Sequence, residues 1–260
     1  MRINTTKQKL AEGKPVFGGI VGENAPSTIE ILGAIGYDFV MIDCEHGPMT
    51  LSDVEGLVRA AEAFGITPLA RVPDHEPATI LRFLDRGIQG VIVPHVNTAE
   101  EAEAVARAAR YYPEGNRGMA STRAHDYNVG VPRGEAAQHL NENVMVVPMV
   151  EEITAVRNLD AILKVPGIDV IHCAPADLAQ SMGFPPDEEV QRVRREVVAK
   201  CVAAGIPVGL GGNSPNNPAQ TAEFVRQGAR FVTVPALSLL QFAARQFRAQ
   251  VEAALAAQAK

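Results

Sequence analysis

The stretch VMVVPMVEEITAVRNLDAILKVPGIDVIHCAPADL, residues 144–178, decides the fold of this chain. It begins with a continuous apolar run that ends on Glu151, and apolar residues then recur at helical spacing from Ile153 to Leu163. A second apolar run, 169–174, follows a Pro-Gly turn and opens onto Asp177. Apolar runs joined by an amphipathic helix are typical of buried parallel strands. Because ligands of parallel α/β folds bind at the carboxyl ends of strands, Glu151 and Asp177 are expected to lie at one site.

The same strand and helix unit recurs along the whole chain. Further apolar runs that predict strands lie at 16–22, 38–43, 67–72, 90–95, 207–211 and 231–235. Eight such units without a hairpin signal predict a (β/α)8 TIM barrel, and we expect one domain spanning residues 1–260. A doubly wound open sheet is the alternative, but the Gly18-Gly19 region lacks the GxGxxG spacing of a dinucleotide-binding turn.

Composition excludes several classes of protein. The chain has 260 residues, 47% of them hydrophobic, which is ample for the core of one large barrel. A net charge of -6 and the lack of a Lys or Arg cluster argue against nucleic-acid binding. No uninterrupted apolar stretch approaches the roughly 20 residues of a membrane span, and the first residues lack a signal core. We therefore expect a cytoplasmic protein, whose three cysteines are reduced thiols.

Ionisable residues follow the predicted strands at their carboxyl ends. They are Asp43, Glu45, His46, Arg71, His95, Glu151 and Asp177. Two acids can hold a divalent cation, an imidazole can transfer protons, and a guanidinium fits a substrate carboxylate. This set suggests a 2-oxo acid whose enolate is stabilised by a metal. Purely structural roles remain as alternatives. Asp177 would then be a helix cap, Arg71 would form a salt bridge with Asp43 or Glu45 at the rim, and His95 would be a structural residue.

Five runs, in this order, resemble the signature motifs of the HpcH/HpaI family of class II, metal-dependent 2-oxo acid aldolases. They are Asp43–Pro48 (DCEHGP), Leu69–Val72 (LARV), Val93–Val96 (VPHV), Arg117-Gly118 and Ala174–Leu178 (APADL). The family includes 4-hydroxy-2-oxoheptanedioate and 2-dehydro-3-deoxyglucarate aldolases. The resemblance implies a barrel of the phosphoenolpyruvate/pyruvate type and reversible cleavage of 4-hydroxy-2-oxo acids to pyruvate and an aldehyde through a metal-stabilised enolate.

The resemblance also implies a role for each matching residue. Glu151 and Asp177 would be the ligands of a divalent cation, Mg or Mn first, with Co or Zn as the other options. Arg71 would bind the pyruvate carboxylate. His46, held by Asp85, would be the acid and base, acting through a metal-bound water.

The surrounding residues receive supporting roles by the same resemblance. Asp43 and Glu45 would orient His46 and the metal waters, while Met149 and Ala176 would line the substrate. Residues 111–140 break the strand and helix rhythm and are expected on the ligand-bearing face, with the segment 117–128 shaping the aldehyde pocket. The resemblance further implies a homohexamer, a trimer of dimers, with the C-terminal helix swapped between neighbours.

Two features of the chain limit these expectations. Met149 and Ala174 stand where family members often carry Gln and Gly, so the resemblance does not specify the preferred aldehyde. No lysine lies inside a predicted strand or at its carboxyl end, which disfavours a Schiff base. The alternatives kept open are an acyl-CoA lyase of the malyl-CoA type or an oxaloacetate decarboxylase with the same enolate chemistry, and, more remotely, a non-catalytic 2-oxo acid binding protein.

Overall fold

Eight parallel strands close into a barrel in this computed structural model, which describes residues 1–258; the last two residues of the predicted domain, 259–260, lie outside it. The strands are Val16–Val21 (β1), Phe39–Asp43 (β2), Thr67–Arg71 (β3), Gly90–Val93 (β4), Met145–Pro148 (β5), Ile171–Cys173 (β6), Val208–Leu210 (β7) and Phe231–Pro235 (β8). They pair in the order β5-β4-β3-β2-β1-β8-β7-β6. A parallel bridge between Met149 and His172 joins the two ends of this order. The predicted (β/α)8 barrel is confirmed.

Helices connect the strands and cover the outside of the barrel. They are Thr5–Ala11 (α1), Pro26–Ala34 (α2), Leu51–Ala63 (α3), Pro77–Asp85 (α4), Ala99–Ala108 (α5), Arg133–Asn143 (α6), Ile153–Ile162 (α7), Pro175–Ser181 (α8), Asp187–Ala204 (α9), Pro218–Arg226 (α10) and Ala236–Gln258 (α11). Capping boxes at Thr50 and Thr98 fix the starts of α3 and α5. Among the helices of residues 1–258, none has both the length and the apolarity to cross a membrane.

The alternation of side chains along the strands divides the core into two layers. Residues that point inward, such as Phe39, Met41, Leu69 and Val147, fill the barrel. Residues that point outward, such as Ile42, pack against the helices in a larger apolar cluster. Strands buried on both faces explain why the sequence shows continuous apolar runs rather than alternation.

The segment between α5 and α6 lies at the amino-terminal end of the barrel. Helix α5 ends there and β5 begins there, so the chain between them stays at that end. Within the segment, a 3₁₀ turn covers Arg123–Asn128, and Arg123 donates to both carboxylate oxygens of Glu62 at the end of α3, at 2.8 and 2.6 Å. The expectation that residues 111–140 lie on the ligand-bearing face of their own barrel, and that 117–128 shape its aldehyde pocket, is therefore wrong.

Helix α1 closes the same end of the barrel. The Thr6 hydroxyl donates to the Asp38 carbonyl at 3.0 Å and lies 2.8 Å from the Thr67 hydroxyl, both near the first residues of strands. Leu10 enters the apolar interior of the barrel. With the amino end covered, the carboxyl ends of the strands form the open rim.

Candidate active site

A buried ion pair joins the carboxyl ends of β2 and β3. Arg71 donates from Nε to Asp43 Oδ1 at 2.9 Å and from Nη2 to Asp43 Oδ2 at 2.6 Å. Arg71 Nη1 lies 3.1 Å from Glu45 Oε2. Burial alone would raise the pKa of Asp43, but the bonds and charge of Arg71 outweigh it and hold this pKa below its usual value. Arg71 is therefore fixed as a cation at the rim, in the salt bridge that the sequence left open as the alternative.

The same carboxylate shapes the loop that carries His46. Asp43 Oδ1 accepts from the backbone N–H groups of Glu45 and His46, each at 3.3 Å. The imidazole of His46 is 64% exposed, and its Nε2 lies 3.9 Å from Glu45 Oε2. Asp43 thus orients both the guanidinium and the histidine loop, and the imidazole is accessible to a substrate.

Glu151 follows β5 as a buried carboxylate that is only 2% exposed. Its Oε1 accepts from the backbone N–H of His95 at 2.9 Å. Burial raises the pKa of Glu151, and the negative charges of Asp177 and Glu45 add to this effect against the His95 bond. Three carboxylates therefore lie close together at this part of the rim, and the imidazole of His95, with Nδ1 3.7 Å from Glu151 Oε1, opposes their charge only in part.

The remaining predicted residues surround Glu151. Asp177 lies in the first turn of α8 and is partly buried, and Ala176 beside it is exposed. Met149 is 1% exposed and belongs to the apolar interior, two residues before Glu151. Ala174, which precedes α8, is also part of that interior. The structure thus places the two predicted metal ligands and the two predicted substrate residues on the neighbouring units of β5 and β6.

The donor set fits a hard divalent cation. In residues 1–258, no group of three or more His, Cys, Asp or Glu side chains has the arrangement of a metal site. Glu151 and Asp177 would be the protein ligands, and the open positions are those that a substrate or water needs. Within the described chain, Glu45 Oε2 is buried without a hydrogen bond of normal geometry, and the pKa of Glu151 is raised by burial and by neighbouring carboxylates. A cation would relieve this excess of negative charge.

Asp85 does not lie at this rim. It is the last residue of α4, which runs from the carboxyl end of β3 back to the amino end of β4. Its carboxylate accepts from Arg117 Nη2 at 2.8 Å, in a largely buried ion pair. The predicted contact that holds His46 is therefore not formed within one chain, because α4 carries Asp85 to the opposite end of the barrel.

His95 also contacts the site. His95 has the left-handed backbone conformation with φ of 56°, which directs its N–H at Glu151. Its Nδ1 lies 3.0 Å from Glu152 Oε1 and its Nε2 lies 3.5 Å from Glu45 Oε1. Burial alone would lower the pKa of His95, but the surrounding carboxylates raise it. The sequence places His95 at a strand end, but nothing in the pattern indicates that its backbone, rather than its imidazole, would hold Glu151.

The cysteines near the site are packed rather than activated. Cys44 and Cys173 are buried free thiols. Burial raises the pKa of Cys44 to about 12 and that of Cys173 to about 11. Neither thiol would be a nucleophile at neutral pH.

The barrel and its acidic rim define the class of the protein as a TIM-barrel enzyme, with ionisable side chains at the carboxyl ends of several strands. Residues 20–238 match the HpcH/HpaI aldolase/citrate lyase family. The chain therefore belongs to this family, as the sequence motifs predicted.

Individual relatives cover almost the whole chain. A 4-hydroxy-2-oxovalerate aldolase of Novosphingobium aromaticivorans is 37% identical over 237 residues, 88% of this chain and 87% of the relative. A family member from Burkholderia cenocepacia J2315 has a similar crystal structure, with a TM-score of 0.88 at 31% identity over 96% of this chain and 99% of its own. The citrate synthase SbnG has a TM-score of 0.82 at 30% identity, covering 98% of each chain.

Proposed function

We propose that the protein is a divalent-metal-dependent aldolase that reversibly cleaves 4-hydroxy-2-oxo acids to pyruvate and an aldehyde. The family and the similarity to 4-hydroxy-2-oxovalerate aldolase support an aldolase. The observation that carries the metal dependence is the buried Glu151, whose pKa is raised by burial and by the charges of Asp177 and Glu45. Such a cluster favours a hard cation, with Mg or Mn as the first choices.

The residues of the rim divide the binding task. Glu151 and Asp177 would hold the cation, which polarises the carbonyl of a bound 2-oxo acid and stabilises the charge of its enolate. Arg71 would bind the substrate carboxylate with the N–H groups that Asp43 leaves free, since a guanidinium has five donors. The Asp43 bonds fix Arg71 in advance, so little side-chain entropy is lost when the substrate binds.

His46 is the residue that we assign to proton transfer. In the cleavage direction it would accept the proton of the 4-hydroxyl, the C3–C4 bond would break, and the aldehyde would leave. Protonation of the enolate at C3 then gives pyruvate. The residue that orients the His46 loop within the chain is Asp43. A contact of His46 with Asp85 would have to come from a neighbouring copy of the chain.

The exposed apolar side chains of α11 suggest that the chain assembles into an oligomer. This helix exposes large apolar side chains, among them Leu240, Phe247 and Leu255. We propose that they are covered in a homo-oligomer, a hexamer with exchanged helices in line with the family resemblance. Light scattering of the purified protein and of a Phe247→Glu variant would test this, because a monomer that retains full activity would contradict it.

The decisive experiment measures pyruvate release from 4-hydroxy-2-oxo acids by EDTA-treated protein, before and after Mg or Mn is added. Glu151→Gln is the test variant. Glu152→Gln is the matched control, because this neighbouring acid contacts His95 and is not a proposed ligand. We expect metal to restore activity to the wild type and the control but not to Glu151→Gln. Activity that survives EDTA would contradict the metal dependence, and no pyruvate from any such acid would contradict the aldolase.

A second candidate is cleavage or condensation of an acyl-CoA thioester, with oxaloacetate decarboxylation as a related reaction of the same enolate. The likeness to the citrate synthase SbnG and the citrate lyases in the family description favour it. The bulky CoA phosphates would need basic contacts, whereas Arg71 is already paired with Asp43. Release of CoA from malyl-CoA or citryl-CoA, measured beside pyruvate release, separates the two candidates.

A further inference from the structure

A buried histidine of β6 lies beneath the rim without a role in the reaction just described. His172 is 2% exposed and points into the barrel, where its ring meets Phe231 edge to face at a centroid distance of 6.0 Å. Its Nε2 lies 3.2 Å from Thr233 Oγ1. Within residues 1–258, its Nδ1 is buried and has no hydrogen-bond partner. A buried nitrogen without a partner is costly and suggests a group that binds there.

The orientation of the ring places Nδ1 on the side of the rim. Two glycines of the neighbouring unit make room for the imidazole: a Cβ on Gly209 would lie 3.0 Å from its Cδ2, and a Cβ on Gly211 would lie 3.0 Å from its Cε1. Gly211 is nearer to the carboxyl end of β7 than Gly209. The direction from Cδ2 to Cε1 therefore runs towards the carboxyl-end rim, and in an imidazole Nδ1 lies further along that direction than Nε2.

The hydrogen bonds around Thr233 favour a proton on Nδ1. The Leu210 carbonyl already accepts from Asn213 Nδ2 at 2.6 Å, and its contact with the Thr233 hydroxyl is long, at 3.5 Å. We therefore infer that the Thr233 hydroxyl donates its proton to His172 Nε2, at 3.2 Å, rather than to the Leu210 carbonyl. A neutral imidazole that accepts at Nε2 carries its proton on Nδ1.

The surroundings of this N–H suit a carboxylate. Burial, with the positive charges of Arg71 and Arg194, lowers the pKa of His172 to about 3, so the ring is neutral at physiological pH. Arg71 is on β3, across the interior of the barrel from β6. A carboxylate between the two side chains would receive charge from Arg71 and a hydrogen bond from a neutral donor.

We propose that His172 is a substrate-binding residue whose Nδ1–H donates to the carboxylate of the bound 2-oxo acid, opposite Arg71. This inference rests on the proposed aldolase function. It adds a residue that would contact the substrate from the interior side of the barrel. Gly209 and Gly211 leave space for this ring, because a Cβ at either position would lie 3.0 Å from it; at Gly209 the Cβ would also lie 2.7 Å from Phe231 Cδ1.

The first test is pyruvate binding in the presence of Mg, measured by calorimetry with His172→Phe. Phenylalanine keeps the ring and its packing but lacks both nitrogens. A hydrogen bond to a charged group predicts a loss of pyruvate affinity of roughly tenfold to a hundredfold, with Mg affinity unchanged. The matched control is His125→Phe, a buried histidine at the amino end whose nitrogens contact Tyr111 at 2.8 Å and Thr122 at 3.0 Å. This control should bind pyruvate like the wild type.

The second test uses the wild-type protein, and the His172→Phe variant serves only to assign the NMR resonances of His172. In protein labelled with 15N-histidine and loaded with Mg, we expect the Nδ1-protonated neutral tautomer of His172 and a shift of the Nδ1 resonance when pyruvate is added. Unchanged pyruvate affinity in His172→Phe, or an Nδ1 resonance that does not respond to pyruvate, would overturn the inference. If the wild type releases no pyruvate from 4-hydroxy-2-oxo acids, the proposed function fails instead, so the two failures are distinguishable.

Discussion

Replacing Glu151 with glutamine tests the electrostatics of the rim most directly. The carboxylate is 2% exposed, and its raised pKa results from burial first and then from the charges of Asp177 and Glu45, against the His95 N–H. Glutamine keeps the size of the side chain and an oxygen that can accept from His95. The variant therefore removes one negative charge with little change of shape.

The sign of the effect follows from linkage. A carboxyl whose pKa is higher in the folded than in the unfolded protein destabilises the fold as pH rises through these two values. Metal-free Glu151→Gln should therefore be at least as stable as the metal-free wild type at pH 7.5. The difference in free energy of unfolding between the two metal-free proteins should become smaller as pH falls towards the ordinary glutamate pKa of 4.5.

Metal should reverse the order of stability. At a Mg concentration of about 100 times Kd, ligand linkage adds about 2.7 kcal/mol to the wild type. For a chain of this size that corresponds to an increase in Tm of roughly 5–10 °C. The variant, without its buried ligand, should gain almost nothing.

Thermal unfolding of wild type, Glu151→Gln and Glu152→Gln, each with EDTA and with Mg, measures both effects. The control should respond to Mg like the wild type, because Glu152 contacts His95 and Asn97 and is not a proposed ligand. Equal protection of all three proteins by Mg would refute the assignment of Glu151. A metal-free variant that is less stable than the wild type by more than about 1 kcal/mol would refute the claim that the buried charge is unfavourable.

Three further outcomes follow from the structure. Asp43→Asn should lower the free energy of unfolding in urea by about 2–4 kcal/mol at pH 7, because it removes the carboxylate that binds Arg71 through two bonds. Since the pKa of Asp43 is lowered in the fold, this difference should begin to shrink as pH falls through the ordinary aspartate pKa of 3.8 and disappear only below the lower folded pKa. A difference that stays constant over this range would contradict the assignment. His46→Ala should retain Mg and pyruvate binding but lose turnover, whereas unchanged turnover would indicate that another group transfers the proton. Arg123→Met should cost about 1–3 kcal/mol in the same urea assay through the loss of its bonds to Glu62, while aldehyde selectivity stays unchanged; altered selectivity would mean that the segment reaches the site of a neighbouring copy.

The sequence predicts most of this fold because strands buried on both faces leave a strong signal. The predicted strand at 231–235 agrees with the structure at both ends, and the predicted strand at 38–43 differs from β2 by one residue. Two helices, α6 and α8, are not predicted by the sequence pattern. Helix α6 buries few residues, among them Ala136 and Ala137, so it lacks an apolar stripe. Helix α8 has seven residues, which is too short for a helical period to be recognised.

The rim was predictable to the extent that it depends on strand order. Asp43, Arg71 and Glu151 were placed at carboxyl ends, and the structure brings them to one rim. The family resemblance pairs Asp85 with His46, but a helix that follows a barrel strand ends at the amino-terminal end of the barrel, so α4 carries Asp85 away from the rim of its own chain. The same rule of helix direction places the segment after α5 at the amino-terminal end. The orphan nitrogen of His172 depends on side-chain rotamers, which no sequence pattern specifies.

The two ends of the barrel differ in how their acids are neutralised, and this difference separates structure from function. At the amino end, Glu62 is paired with Arg123, and Asp85 with Arg117. At the carboxyl end, Asp43 engages Arg71 through two bonds. Glu151 is buried beside the charges of Glu45 and Asp177, and the exposed imidazole of His95 lies 3.7 Å from its Oε1. Paired acids stabilise a fold, whereas a buried acid beside other negative charges has a raised pKa, as Glu151 does, and a bound cation would favour its charged form. The number of acids at a rim is therefore a weaker sign of function than the number left without a counter-charge.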